Sequence, residues 1–88
     1  MIISVPIPAS KPRAELLKMK RFTDTLANSL ATQFDGVVDG SGVGCGCIDQ
    51  FVDFRYKKDA DKSMGYAKKY LTQHGISDYT IRLTRISP

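Results

Sequence analysis

Between residues 40 and 46 every second residue is glycine, and the run Gln50 to Tyr56 then alternates aromatic or apolar residues with polar and charged ones. A period of two is strand spacing, because successive side chains of a strand point to opposite faces. Glycines at that spacing all fall on one face. A face without side chains lets another backbone or a ligand come close. Glycine also weakens a strand, so the segment from Gly40 predicts a short, bulged edge strand and a turn near Gly46 to Asp49. The clearest strand is Gln50 to Tyr56, with Val52, Phe54 and Tyr56 toward the core and Phe51, Asp53 and Arg55 on the opposite face. The stretch Asp35 to Tyr56 is therefore expected to be the central hairpin of a small α+β domain.

The flanking segments complete the pattern. Ile3, Val5 and Ile7 alternate with Ile2, Ser4 and Pro6, which predicts a first strand ended by Pro6 and Pro8. Ser10 suits a helix N-cap and Pro12 its first turn. From Arg13 to Phe34, Leu16, Met19, Phe22, Leu26, Ala27, Leu30 and Phe34 recur at helical spacing, and Gly36 is the expected left-handed residue after the helix. A second helix runs to about His74, capped by Asp59 or Asp61, with Ala60, Met64, Ala67 and Leu71 as its buried stripe. The last strand is expected over Tyr79 to Ile86.

The order is β-α-β-β-α-β. Two right-handed crossovers joined by a hairpin define the ferredoxin-like split βαβ arrangement. It predicts one domain over residues 1–88, a four-stranded antiparallel sheet, and both helices on one face. The other face would stay open and present Ile2, Ser4, Phe51, Asp53, Arg55, Thr80, Arg82 and Thr84.

Composition narrows the function classes. The 88 residues suffice for one small core, and no apolar run approaches the roughly 20 residues of a membrane helix. No basic leader precedes the apolar residues of the N-terminus, so a cytoplasmic protein away from membranes is expected. Net charge is +4, compatible with nucleic acid or an acidic protein surface as partner. Cys45 and Cys47 flank one glycine and cannot cross-link distant segments.

Chemical motifs are sparse. The single histidine, His74, falls in the last turn of a helix, where the dipole accounts for it. Asp49 and Asp53 share a strand face as a candidate acid pair, with no nucleophile or base nearby, and no catalytic residue is expected. Cys45 and Cys47 lack the two further ligands of a closed zinc site, so neither metal nor cofactor is expected. The glycines of Gly40-Ser41-Gly42-Val43-Gly44 precede a strand rather than a helix, the wrong context for a phosphate loop. RNA-recognition domains share the element order, and Phe51-Val52-x-Phe54 fits the end of their third-strand signature. Cys47 and Asp49 stand where that signature has a base and an aromatic.

From Gly40 the chain resembles a group of small bacterial and phage proteins with a long helix, a DG-x-G-x-G-x-G-x-x-D hairpin, an alternating aromatic strand and a D-x-D-opened helix. Here these are Asp39-Gly40-Ser41-Gly42-Val43-Gly44-Cys45-Gly46 with Asp49, then Phe51 to Phe54, then Asp59-Ala60-Asp61. The resemblance implies a ferredoxin-like single domain and, for some members, an immunity-type inhibitor that blocks a larger enzyme. The expectation is a non-enzymatic protein-binding module, a steric inhibitor. Its contacts would be Phe51, Asp53, Arg55 and Arg82 on the open face, with Gly42 and Gly44 at an edge open to a protein partner or a second copy. The alternatives are a single-stranded RNA binder on the same face and a small-ligand regulatory domain at the glycine hairpin.

Overall fold

A computed structural model describes residues 1–8, 12–44 and 46–83. Its elements are β1 (Ile2–Pro6), α1 (Arg13–Gln33), β2 (Gly36–Gly44), β3 (Cys47–Phe54), α2 (Lys57–Gln73) and β4 (Thr80–Arg82). The sheet order is β2-β3-β1-β4 and every neighbouring pair is antiparallel. This is the ferredoxin-like arrangement that the period changes predict.

Alternation assigns the two sheet faces. Ile3 and Val5 of β1 and Ile48 and Val52 of β3 are at most 1% exposed. Ile3, Val5 and Val52 meet Leu26, Ala27 and Leu30 of α1 and Ala60, Ala67 and Leu71 of α2 in one core. Burying each of the larger side chains contributes about 1.5–3 kcal/mol. The first residue belongs to this core too. The Met1 amino group donates to the Val52 carbonyl at 2.7 Å, the Val52 N–H returns a bond to the Met1 carbonyl at 2.9 Å, and the side chain is 1% exposed.

Several element ends depart from the expectations. Asp35, not Gly36, takes the left-handed backbone after α1, with φ of 55°, a conformation Asp tolerates better than most residues. Gly36 is instead the first residue of β2, where a Cβ would come within 2.9 Å of the Asp53 carbonyl and the Phe54 ring. The edge strand is also longer than its glycines suggest. Val37 and Val38 pair with Asp53 and Val52, and the register shift between Val38 and Gly40 makes Asp39 the bulge. The third strand starts at Cys47 and stops at Phe54, so Arg55 and Tyr56 form a bend and Tyr56 is 43% exposed rather than inward. Tyr56 holds the N-cap position of α2, without a side-chain cap bond, so neither Asp59 nor Asp61 caps it. The Tyr56 carbonyl already accepts the Ala60 N–H at 3.2 Å, so the helix begins ahead of both aspartates and they lie inside it.

At the start of α1 the N-cap position is Pro12; Ser10 lies outside the described residues, as do Thr84 and the rest of the expected last strand.

One part of the core is polar. Gln50, 1% exposed, donates from Nε2 to Thr23 Oγ1 at 3.0 Å and to Asp24 Oδ1 at 2.7 Å. Lys20 Nζ donates to the same Asp24 oxygen at 2.6 Å and to Ser41 Oγ at 3.0 Å. This network ties α1 to β2 and β3. Gln50 Oε1 is buried there with no hydrogen-bond partner among the described residues.

Candidate functional site: the open face of the sheet

No described element covers the second sheet face. Across it the register places Gly40, Phe51, Ile2 and Arg82 in one row and Gly42, Asp49, Ser4 and Thr80 in the next. Val37, 68% exposed, stands opposite Asp53 at one end, and Gly44, Cys47 and Pro6 line up at the other. Phe51 and Ile2 are half-buried in the centre. Four of the expected contacts therefore share this face with Phe51: Asp53, Arg82, Gly42 and Gly44.

Arg55 does not join them by strand alternation. It follows the end of β3, and its guanidinium lies 5.7 Å from the centroid of the Tyr56 ring. Val37 is the residue that sequence reasoning left out, because its pairing lies ahead of the glycine run.

The glycines of the face differ in what they require. Gly40 follows the bulge with φ of 150°, a backbone that side chains rarely adopt. Gly42 has no such constraint, and a Cβ there would meet nothing within 4 Å. Nothing inside the described chain demands glycine at 42, and its absence of side chain leaves the row beside Asp49 flat.

Charges on this face are mixed and partly engaged. Ser4 Oγ donates to Asp49 Oδ1 at 2.6 Å. Burial lowers the pKa of the Met1 ammonium below its ordinary 8.0, and the charge of Asp53 pushes it back up. Asp49 and Asp53 are four residues apart on one strand, about 13 Å by strand rise. Two carboxyls that share a glycosidic bond sit within about 10 Å, so these two are not placed as an acid pair.

Other candidate ligands lie elsewhere. His74 packs on Phe22 and Tyr70, with ring centroids 4.8 and 4.7 Å away, on the helix side of the sheet from which Cys47 is excluded by its strand position. Among the described residues no group of three His, Cys, Asp or Glu side chains is arranged to hold a metal ion. Cys45 is outside the described residues, so the Cys45–Cys47 pair has no structural account. No helix among the described residues is long and apolar enough to cross a membrane.

The outer surface of the helices holds a second feature. Tyr66, Tyr70 and His74 recur every four residues along α2 and meet Phe34 and Phe22 of α1 in a continuous aromatic seam. The four-residue spacing is visible in the sequence; the partners on α1 become apparent only once the two helices lie side by side.

Comparison with family models, with curated proteins and with solved structures found no match to this chain.

Proposed function

We propose that the chain is a non-enzymatic module that binds another protein through the open sheet face and blocks it by occlusion, as an immunity-type inhibitor does. The observation that supports this reading is the uncovered row Gly40–Phe51–Ile2–Arg82, an apolar centre bordered by opposite charges and by the bare backbone of β2. An apolar anchor with a polar rim is the anatomy of a protein interface. Among the described residues a phosphate backbone would find no basic surplus on this face, where Asp49 and Asp53 stand against Arg82. The matching partner presents an apolar side chain for the Phe51–Ile2 centre, with a cation near Asp53 and an anion near Arg82. The β2 edge is a further place where a partner strand or a second copy could add to the sheet.

The test uses Phe51→Ala and Gly42→Val. Neither should disturb the core, and valine suits an exposed strand. Nuclease-treated lysate of the native host should yield one protein with the wild-type chain, and both variants should lose it by tenfold or more while still folded and melting cooperatively. Equal recovery by all three chains would overturn the assignment to this face. Sedimentation of the purified chain separates a second copy from a foreign partner.

A further inference from the structure

The net charge of this chain is not spread evenly. Thirteen Lys and Arg residues stand against nine Asp and Glu. On α1, Arg13, Lys18, Lys20 and Arg21 face Glu15 and Asp24; on α2, five lysines face Asp59 and Asp61. The two helices therefore carry a surplus larger than that of the whole chain, and the remaining segments are slightly acidic. Of the helical cations only Lys20 forms an ion pair among the described residues, with Asp24.

The free cations have an ordered setting. Lys62, Tyr66, Lys69 and Gln73 follow one another at four-, three- and four-residue steps, which is one side of α2. Lys62 and Lys69 are about 10 Å apart along the axis. Tyr66, Tyr70, Lys69 and Gln73 line a depression of about 180 Å³. Cofactor sites usually occupy about 300–1,000 Å³, so this one takes a single ring rather than a whole cofactor. Beside it a shallow hollow of about 350 Å³ on α1 is lined by Asn28, Ser29, Thr32, Gln33 and Thr25. The Gln33 amide donates to the Tyr66 hydroxyl at 3.3 Å and bridges the two hollows.

We propose that this outer helical surface binds single-stranded nucleic acid, with Lys62 and Lys69 on the phosphates and the bases in the aromatic and amide-lined hollows. Cations alone would accept any polyanion. What favours a nucleic acid over an acidic protein is the α1 hollow, lined only by neutral amides and hydroxyls that match the hydrogen-bonding edges of unpaired bases, next to the half-buried Tyr66 and Tyr70 rings beside Lys69. The surface is on the opposite side of the sheet from Phe51, so it does not depend on the protein-binding reading.

The measurement is fluorescence anisotropy of a labelled mixed-sequence single-stranded RNA with the full chain. Two phosphate contacts, from Lys62 and Lys69, predict that affinity falls about sevenfold between 50 and 200 mM salt. The double variant Lys62→Glu, Lys69→Glu changes only exposed helical positions and should lose binding at least tenfold with an unchanged melting temperature. Phe51→Ala should bind as the wild type does. No binding at 50 mM salt would overturn the proposal. So would loss in Phe51→Ala with retention in the double variant, which would return the site to the sheet face. Displacement by polyglutamate as readily as by unlabelled RNA, or equal affinity for a duplex, would show a general polyanion surface and also overturn it.

Discussion

The two faces of the sheet are built from the same strands by the same alternation, yet they differ in almost every physical property. Toward the helices, Ile48, Val52, Ile3 and Val5 are at most 1% exposed, and the neighbouring Gln50 is held by Thr23 and Asp24. On the opposite face Phe51 and Ile2 are half-buried, Val37 is exposed, and the flanking positions of β2 are glycine. One residue of register separates a fully buried side chain from one that keeps part of its surface in water. That difference is what makes the open face a candidate for function.

Truncation on each face tests the contrast most strongly. Leu30→Ala on the core side should cost about 2–5 kcal/mol in urea unfolding, because it leaves a cavity among buried neighbours. Phe51→Ala should cost less than about 1.5 kcal/mol, since only part of the ring is removed from water. Comparable losses from the two variants would make Phe51 a structural residue and remove the contrast.

The alternation itself was legible in the sequence. Ile3 with Val5, and Val52 with Phe54, mark the core face, and Leu26, Ala27 and Leu30 mark the helix above it. What was not legible depends on contacts between distant residues. Glycine at position 36 suggested a helix end, but its reason is the Asp53 carbonyl and Phe54 ring on the neighbouring strand. Arg55 continued the period of two, and the early start of α2, whose first turn closes on the Tyr56 carbonyl, takes it out of the strand. Tyr66, Tyr70 and His74 lie at helical spacing outside the expected stripe of Ala60, Met64, Ala67 and Leu71, and no local rule pairs them with Phe22 and Phe34. Gln50 falls on the core side of its strand, where the pattern calls for an apolar residue, and its partners come from α1.

Gln50 allows an intermediate test of how far the core face tolerates polarity. Gln50→Ala removes two hydrogen bonds and leaves a gap, and should cost about 1–3 kcal/mol. Gln50→Met keeps the volume and also removes the unpartnered Oε1, so it should lie within about 1 kcal/mol of the wild type. Thermal unfolding of both variants decides whether the network contributes stability or chiefly orients α1. A methionine variant as damaged as the alanine one would assign the stability to the hydrogen bonds themselves.

The smallest effect is electrostatic and belongs to the same network. Burial pushes the Asp24 carboxyl up, but the hydrogen bonds from Lys20 and Gln50, with the Lys20 charge, outweigh it and hold the pKa below the ordinary 3.8. A carboxylate with a depressed folded pKa stabilises fully above its unfolded value and loses that contribution as pH falls through the folded one. The acid limb of the stability curve should therefore steepen below pH 3.8. Because the Asp24 side chain is 41% exposed, solvent screening limits the whole effect to under about 1 kcal/mol. Asp24→Asn should flatten this limb while Asp53→Asn, on the open face, should leave it in place. If Asp53→Asn flattened it instead, the acid sensitivity would belong to the open face and the buried network would have no measurable charge in it.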